Sequence, residues 1–91
     1  MQRKLETLLQ QIARIEAMER GKLCRMRTGP TGDYYNHQTW EKGRNVVRYV
    51  PREQVADLQK ALAGYQHYLK LTQAYADQVI RRTRRARAAP P

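Results

Sequence analysis

Ninety-one residues leave room for one small domain with a limited core. Lys and Arg number 18 against 8 Asp and Glu, a net charge of +10 that biases association toward polyanions without deciding a fold. A single cysteine, Cys24, excludes an internal disulfide framework, the absence of serine excludes a serine nucleophile, and no apolar run approaches the ~18 residues of a membrane span.

Residues 3–19 place Leu5, Leu8, Leu9, Ile12, Ile15 and Met18 at spacings of three and four, which predicts one amphipathic helix. Glu16 and Arg20 lie four apart on its exposed face, and Gly21 is a natural stop. Residues 22–27 alternate loosely as a short strand, and the Thr-Gly-Pro-Thr-Gly run from Thr28 reads as a loop. Residues 34–40 are rich in β-formers, Glu41–Arg44 reads as a turn with Gly43 at positive φ, and residues 45–50 form the best strand of the chain. A hairpin of 34–40 with 45–50 follows, extended to three strands if 22–27 joins it, because an isolated hairpin is marginal.

Pro51 opens a second helix at its first turn, with Glu53 and Asp57 suited to the helix dipole. Val55, Leu58, Leu62, Tyr65, Leu69, Thr72, Ala76 and Val79 continue its apolar stripe for about seven turns. The expected fold is α+β and mostly α: an N-terminal helix, a small antiparallel hairpin or three-stranded sheet, and a long C-terminal helix packed antiparallel on the first. Residues 1–80 form the single domain of this reading, and residues 81–91 a basic tail, frayed or disordered. The shorter helix cannot cover the longer one, so Leu69, Ala76, Val79 and Ile80 need another surface, most simply a second copy.

Charge is unevenly placed. Residues 21–52 and 81–91 each carry a net +5, while residues 53–80 carry −1. Arg25, Arg27, Lys42, Arg44, Arg48 and Arg52 fall on or beside the sheet, interleaved with Tyr34, Tyr35, Trp40 and Tyr49, so guanidinium groups can meet phosphates while Tyr34 and Trp40 stack on bases. Tyr35, Val47 and Tyr49 are expected to build the small core, with Lys42, Arg44 and Arg48 facing outward. Arg81, Arg82, Arg84, Arg85 and Arg87 put five charges in seven residues, more than a helix dipole needs, and suit a phosphate-tracking arm. Cys24, His37 and His67 fall short of the four ligands of a structural zinc site, and no nucleophile–base or phosphate-loop pattern stands out, so neither catalysis, metal nor cofactor is expected.

The Gly-Lys-Leu-Cys-Arg-Met run from Gly21, the Gly29-Pro30 pair followed by Tyr34-Tyr35, and the Arg-Tyr-Val-Pro run ending at Pro51 lead into a helix with tyrosines partway along it. In these parts, from residue 21 to about residue 80, the chain resembles a family of small prokaryotic proteins associated with transposases and other mobile elements. Cys24 falls where that family has a cysteine, and Met26 stands where it has a second. The resemblance implies the helix–hairpin–helix layout and a mobile-element setting, and on that ground favours DNA over RNA. The expectation is a cytoplasmic, non-catalytic nucleic-acid-binding accessory protein with no membrane contact. The rival is an interaction or assembly subunit that uses the long helix to dimerise or hold a partner.

Overall fold

The computed structural model describes residues 2–30 and 32–88. Helix α1 (Gln2–Ala13) is followed by strands β1 (Lys22–Gly29), β2 (Gly32–Glu41) and β3 (Arg44–Val50). A 3-10 turn (Arg52–Gln54) then leads into helix α2 (Val55–Ala88). This is the expected α+β architecture, in the three-stranded version. The chain divides into two compact units, residues 1–16 with 66–91, and residues 17–65.

In the first unit, Leu5 and Leu8 of α1 and Leu71 of α2 are buried. Each such leucine contributes about 1.5–3 kcal/mol by leaving water. Ile12, Tyr68, Thr72, Tyr75 and Val79 are half-buried, so the covered stripe of α2 passes through 68, 72, 75 and 79. Leu69, Ala76 and Ile80 stay exposed, as does Leu9 of the stripe foreseen on α1. Helix α2 continues through Ala88, past the point where fraying was expected, and the Thr83 hydroxyl donates to the Val79 carbonyl at 2.9 Å within it. Residues 89–91 of that basic tail lie outside the described residues.

Helix α1 ends at Ala13, six residues before the expected end. The amides of Arg14 and Ile15 bond the carbonyls of Gln11 and Ile12, tightening the last turn. No local breaker explains the stop. In the second unit the amide of Glu19 instead donates to the Ala61 carbonyl of α2 at 2.9 Å, so a tertiary bond overrides helix propensity there. The expected Glu16–Arg20 helical pair is therefore replaced: Arg20 Nε donates to the Tyr65 hydroxyl at 3.3 Å, and its guanidinium lies over the Tyr65 ring.

The sheet has the order β1–β2–β3 and is antiparallel throughout. Lys42 and Gly43 both have positive φ, the two-residue turn whose twist matches a hairpin. On the other side Gly29 pairs with Gly32, so Thr28, Gly29 and Gly32, expected in a loop, belong to the strands. Between Arg25 and Arg27 the register shifts, leaving Met26 as a bulge on the β1 edge.

One face of the sheet is covered. Leu23, Tyr35, His37, Thr39, Val46, Arg48 and Val50 share it by register, and His37, Thr39 and Val50 are buried. His37 Nε2 donates to the Arg20 carbonyl at 2.6 Å, an oxygen that can only accept. The next residue, Gly21, has φ +93°, and a Cβ there would overlap the Gln38 carbonyl oxygen. The expected face assignment is corrected by this covering. Val47 and Tyr49 lie on the opposite face, 52% and 63% exposed, and Arg48 faces inward. Strand β3 is apolar on both sides, so alternation alone could not choose between them.

Gly43 and Gly21 both need positive φ, but only Gly21 has backbone against it. Gly43→Ala is expected to cost about 1–2 kcal/mol from its conformation. Gly21→Ala is expected to cost that and a further ~1–3 kcal/mol for displacing β2. Urea unfolding of the two variants checks this, and equal losses would remove the role given to Gly21.

Candidate nucleic-acid interface

The inner face of the sheet takes both of its acids. Asp33 accepts from the Thr28 hydroxyl at 2.8 Å and lies 3.7 Å from Arg25 Nη1. Glu41 accepts from Arg48 at 2.8 Å through one oxygen and at 3.3 Å through the other, and from the Thr39 hydroxyl. The Arg48 hydrogen bonds, then that of Thr39, hold the Glu41 carboxyl at about 2, against 4.5 ordinarily. The same bond to Glu41 raises the pKa of Arg48. Arg25 and Arg48, foreseen as phosphate contacts, are thus each matched with a carboxylate.

The other foreseen contacts divide further. The Arg27 guanidinium lies 5.4 Å from the centroid of the Tyr34 ring, and a Cβ at Gly29 would overlap that ring from the backbone side. Tyr34, foreseen as a stacking residue, is occupied by these neighbours. The Arg52 guanidinium lies against Gly32. Lys42 and Arg44 are exposed at the β2–β3 turn. Among the described residues, Lys22, Lys42, Arg44 and Arg52 form no ion pair.

Trp40 is 73% exposed on the outer face. Register puts Trp40 opposite Asn45, Gln38 opposite Val47, and Asn36 opposite Tyr49, with Lys22 beyond Gln38 and Cys24 beyond Asn36 on β1. Gln38 Nε2 donates to Asn36 Oδ1 at 3.3 Å, which orders the middle of this face. Sequence reasoning missed Tyr49, assigned to the core, and Lys22, whose place beside the rings depends on the β1–β2 register. The alternation that separates Tyr49 from Arg48 was readable in the strand itself.

In the other unit, Arg81, Arg82, Arg84, Arg85 and Arg87 are all exposed on the last two turns of α2. A pitch of 3.6 residues sets Arg81, Arg84 and Arg85 along one side, flanked by Arg82 and Arg87. No acidic residue follows Asp77. Among the described residues no three His, Cys, Asp or Glu side chains form a group that could hold a metal ion, and no helix is long and apolar enough to cross a membrane.

The fold and these surfaces define a small α+β protein with a half-covered antiparallel sheet and a basic helix end. The chain belongs to the family described as a domain of unknown function, DUF6788, whose model matches residues 1–60. The match spans α1, the sheet and the first turns of α2. No curated protein and no solved structure matches the chain.

The Glu41 pairing has a defined acid limit. Its carboxyl is depressed in the folded state, so its contribution is complete above about 4.5 and is lost as pH falls toward about 2. The difference in melting temperature between the wild type and Glu41→Gln should be constant from neutral pH down to about 4.5 and shrink below it. A difference that does not change across that window would contradict the pairing.

Proposed function

We propose that this protein is a non-catalytic nucleic-acid-binding accessory protein of the cytoplasm. The observation that carries the reading is the acid-free end of α2, where five exposed arginines occupy two helical turns. Regularly spaced guanidinium groups on a helix suit a run of phosphates, and each phosphate neutralised releases counterions. Lys42, Arg44 and Arg52 on the other unit add cations with no carboxylate partner among the described residues. The resemblance of residues 21–80 to mobile-element proteins favours DNA as the polyanion.

A second reading has its own observation. Leu69 and Ile80 are 40% and 43% exposed on one stretch of α2, with Ala76 exposed between them. Val79, grouped with them from the sequence, is half-buried and contributes less. Assembly through this stretch would respond to Leu69→Glu and be indifferent to salt.

Fluorescence anisotropy of labelled duplex DNA and hairpin RNA over a salt series tests the first reading. Replacing the five arginines of residues 81–87 by Gln should weaken binding uniformly across sequences. It should also flatten the log–log salt slope for duplex DNA by about 0.9 for each arginine that meets a phosphate. An unchanged slope would clear the helix end of this role, and no binding at low salt would sink the reading.

A further inference from the structure

We propose that the outer face of the sheet binds single-stranded nucleic acid, with unpaired bases stacking on Trp40 and Tyr49. The inference rests on the nucleic-acid reading above and names a ligand class for a surface separate from the arginine-rich helix end.

Three observations carry it. The first is exposure: Trp40 and Tyr49 stand 73% and 63% open on the same face, with Val47, 52% open, between them. The second is charge. By register Asp33 and Glu41, the acids of the strands, point to the opposite face, so the outward strand positions include Lys22 and Arg27 and no acid, although Trp40 also lines a cleft with Glu19 and Glu41. The face is therefore complementary to a polyanion, which an apolar protein-docking surface need not be. The third is spacing. The rows Trp40–Asn45, Gln38–Val47 and Asn36–Tyr49 follow one another at two residues each, about 7 Å along the strands.

That spacing separates single from double strands. Trp40 and Tyr49 stand two rows apart, about 14 Å along the strands, whereas stacked bases rise only ~3.4 Å per step. Nearby bases that meet the two rings must therefore be splayed out of their stack. A single strand can splay its bases in this way, and a duplex must be melted first. Gln38 lies in the row between the two rings and Asn45 opposite Trp40, where their amides can meet base edges, while Lys22 can take a phosphate. The Tyr34 ring, packed against Gly29 and Arg27, closes the far end of the face and is not a stacking position.

Trp40 is the only tryptophan, so its emission reports this face directly. Full-length protein titrated with oligo-dT and with oligo-rU should show saturable quenching, while heparin, a polyanion without bases, should leave the emission unchanged. Anisotropy of labelled oligo-dT should then show Trp40→Ala and Tyr49→Ala each weakening binding by roughly tenfold, with Trp40→Phe recovering part of the loss. Duplex affinity and the salt slope should be unaltered in all three variants. Both aromatic positions are exposed, and circular dichroism verifies that each variant keeps its fold. Stronger quenching by oligo-rU than by oligo-dT would assign the strand as RNA. Duplex binding without quenching by either single strand would overturn this inference and leave the nucleic-acid reading intact. Loss of all binding at low salt would overturn both, and heparin quenching equal to that of oligo-dT would reduce the face to a charge effect.

Discussion

The hydrogen bond from His37 Nε2 to the Arg20 carbonyl fixes which side of the sheet is inside. It can form only because the segment before β1 leaves the helical path, its Glu19 amide bonded to Ala61 of α2, and passes tightly over β2 at Gly21. With the segment there, Thr39 and Val50 share the covered side with His37, and every residue one step along in register faces the other way. A one-residue change of pairing would exchange the two faces completely. The outer surface is thus a consequence of a few polar contacts more than of a large apolar core.

The same choice sorts the charges. Asp33 and Glu41 fall on the inner side and hold Arg25 and Arg48. Residues 21–52 carry seven cations and two acids, and these pairs account for both acids, leaving Lys22, Arg27, Lys42, Arg44 and Arg52 as the net +5. Exposed pairs of this kind add little stability, so their main effect is on the field: they remove acidic character from the outer side. The half-exposed Arg48–Glu41 pair is stronger in geometry than most, with both terminal guanidinium nitrogens engaged and Thr39 joining the carboxylate.

Much of this was legible in the chain. The stripe Leu5–Leu8–Ile12, the turn at Gly43, the strand of residues 45–50 and the helix opened by Pro51 all follow from local periodicity and turn chemistry, and all are present. What local sequence could not supply was tertiary. Nothing within residues 14–19 stops a helix, and the stop becomes intelligible only with Ala61 beside Glu19. Strand β3 offers Val46 and Val50 on one side and Val47 and Tyr49 on the other, so its inner side depends on what covers the sheet. The basic residues were identifiable as a group, but their division into paired and unpaired members required the register that brings Glu41 near Arg48. Tyr34 was readable as an aromatic near arginines, yet only the packing of Gly29 and Arg27 against its ring shows that it is already engaged.

The distribution of apolar surface gives the outer face its weight. The buried hydrophobic side chains among the described residues are Leu5, Leu8, Val50 and Leu71, while the largest side chain of the protein, Trp40, is mostly in water. Burying an aromatic of that size contributes more than any single aliphatic in the core, at ~25 cal/mol per Å² removed from solvent. Folding alone therefore gives no reason to turn Trp40, Val47 and Tyr49 outward while His37 and Thr39 are buried. A chain with so small a core forgoes stabilisation by this arrangement, and the forgone burial becomes available to whatever covers the face. A planar ligand such as the proposed unpaired base would recover it by stacking on the two rings.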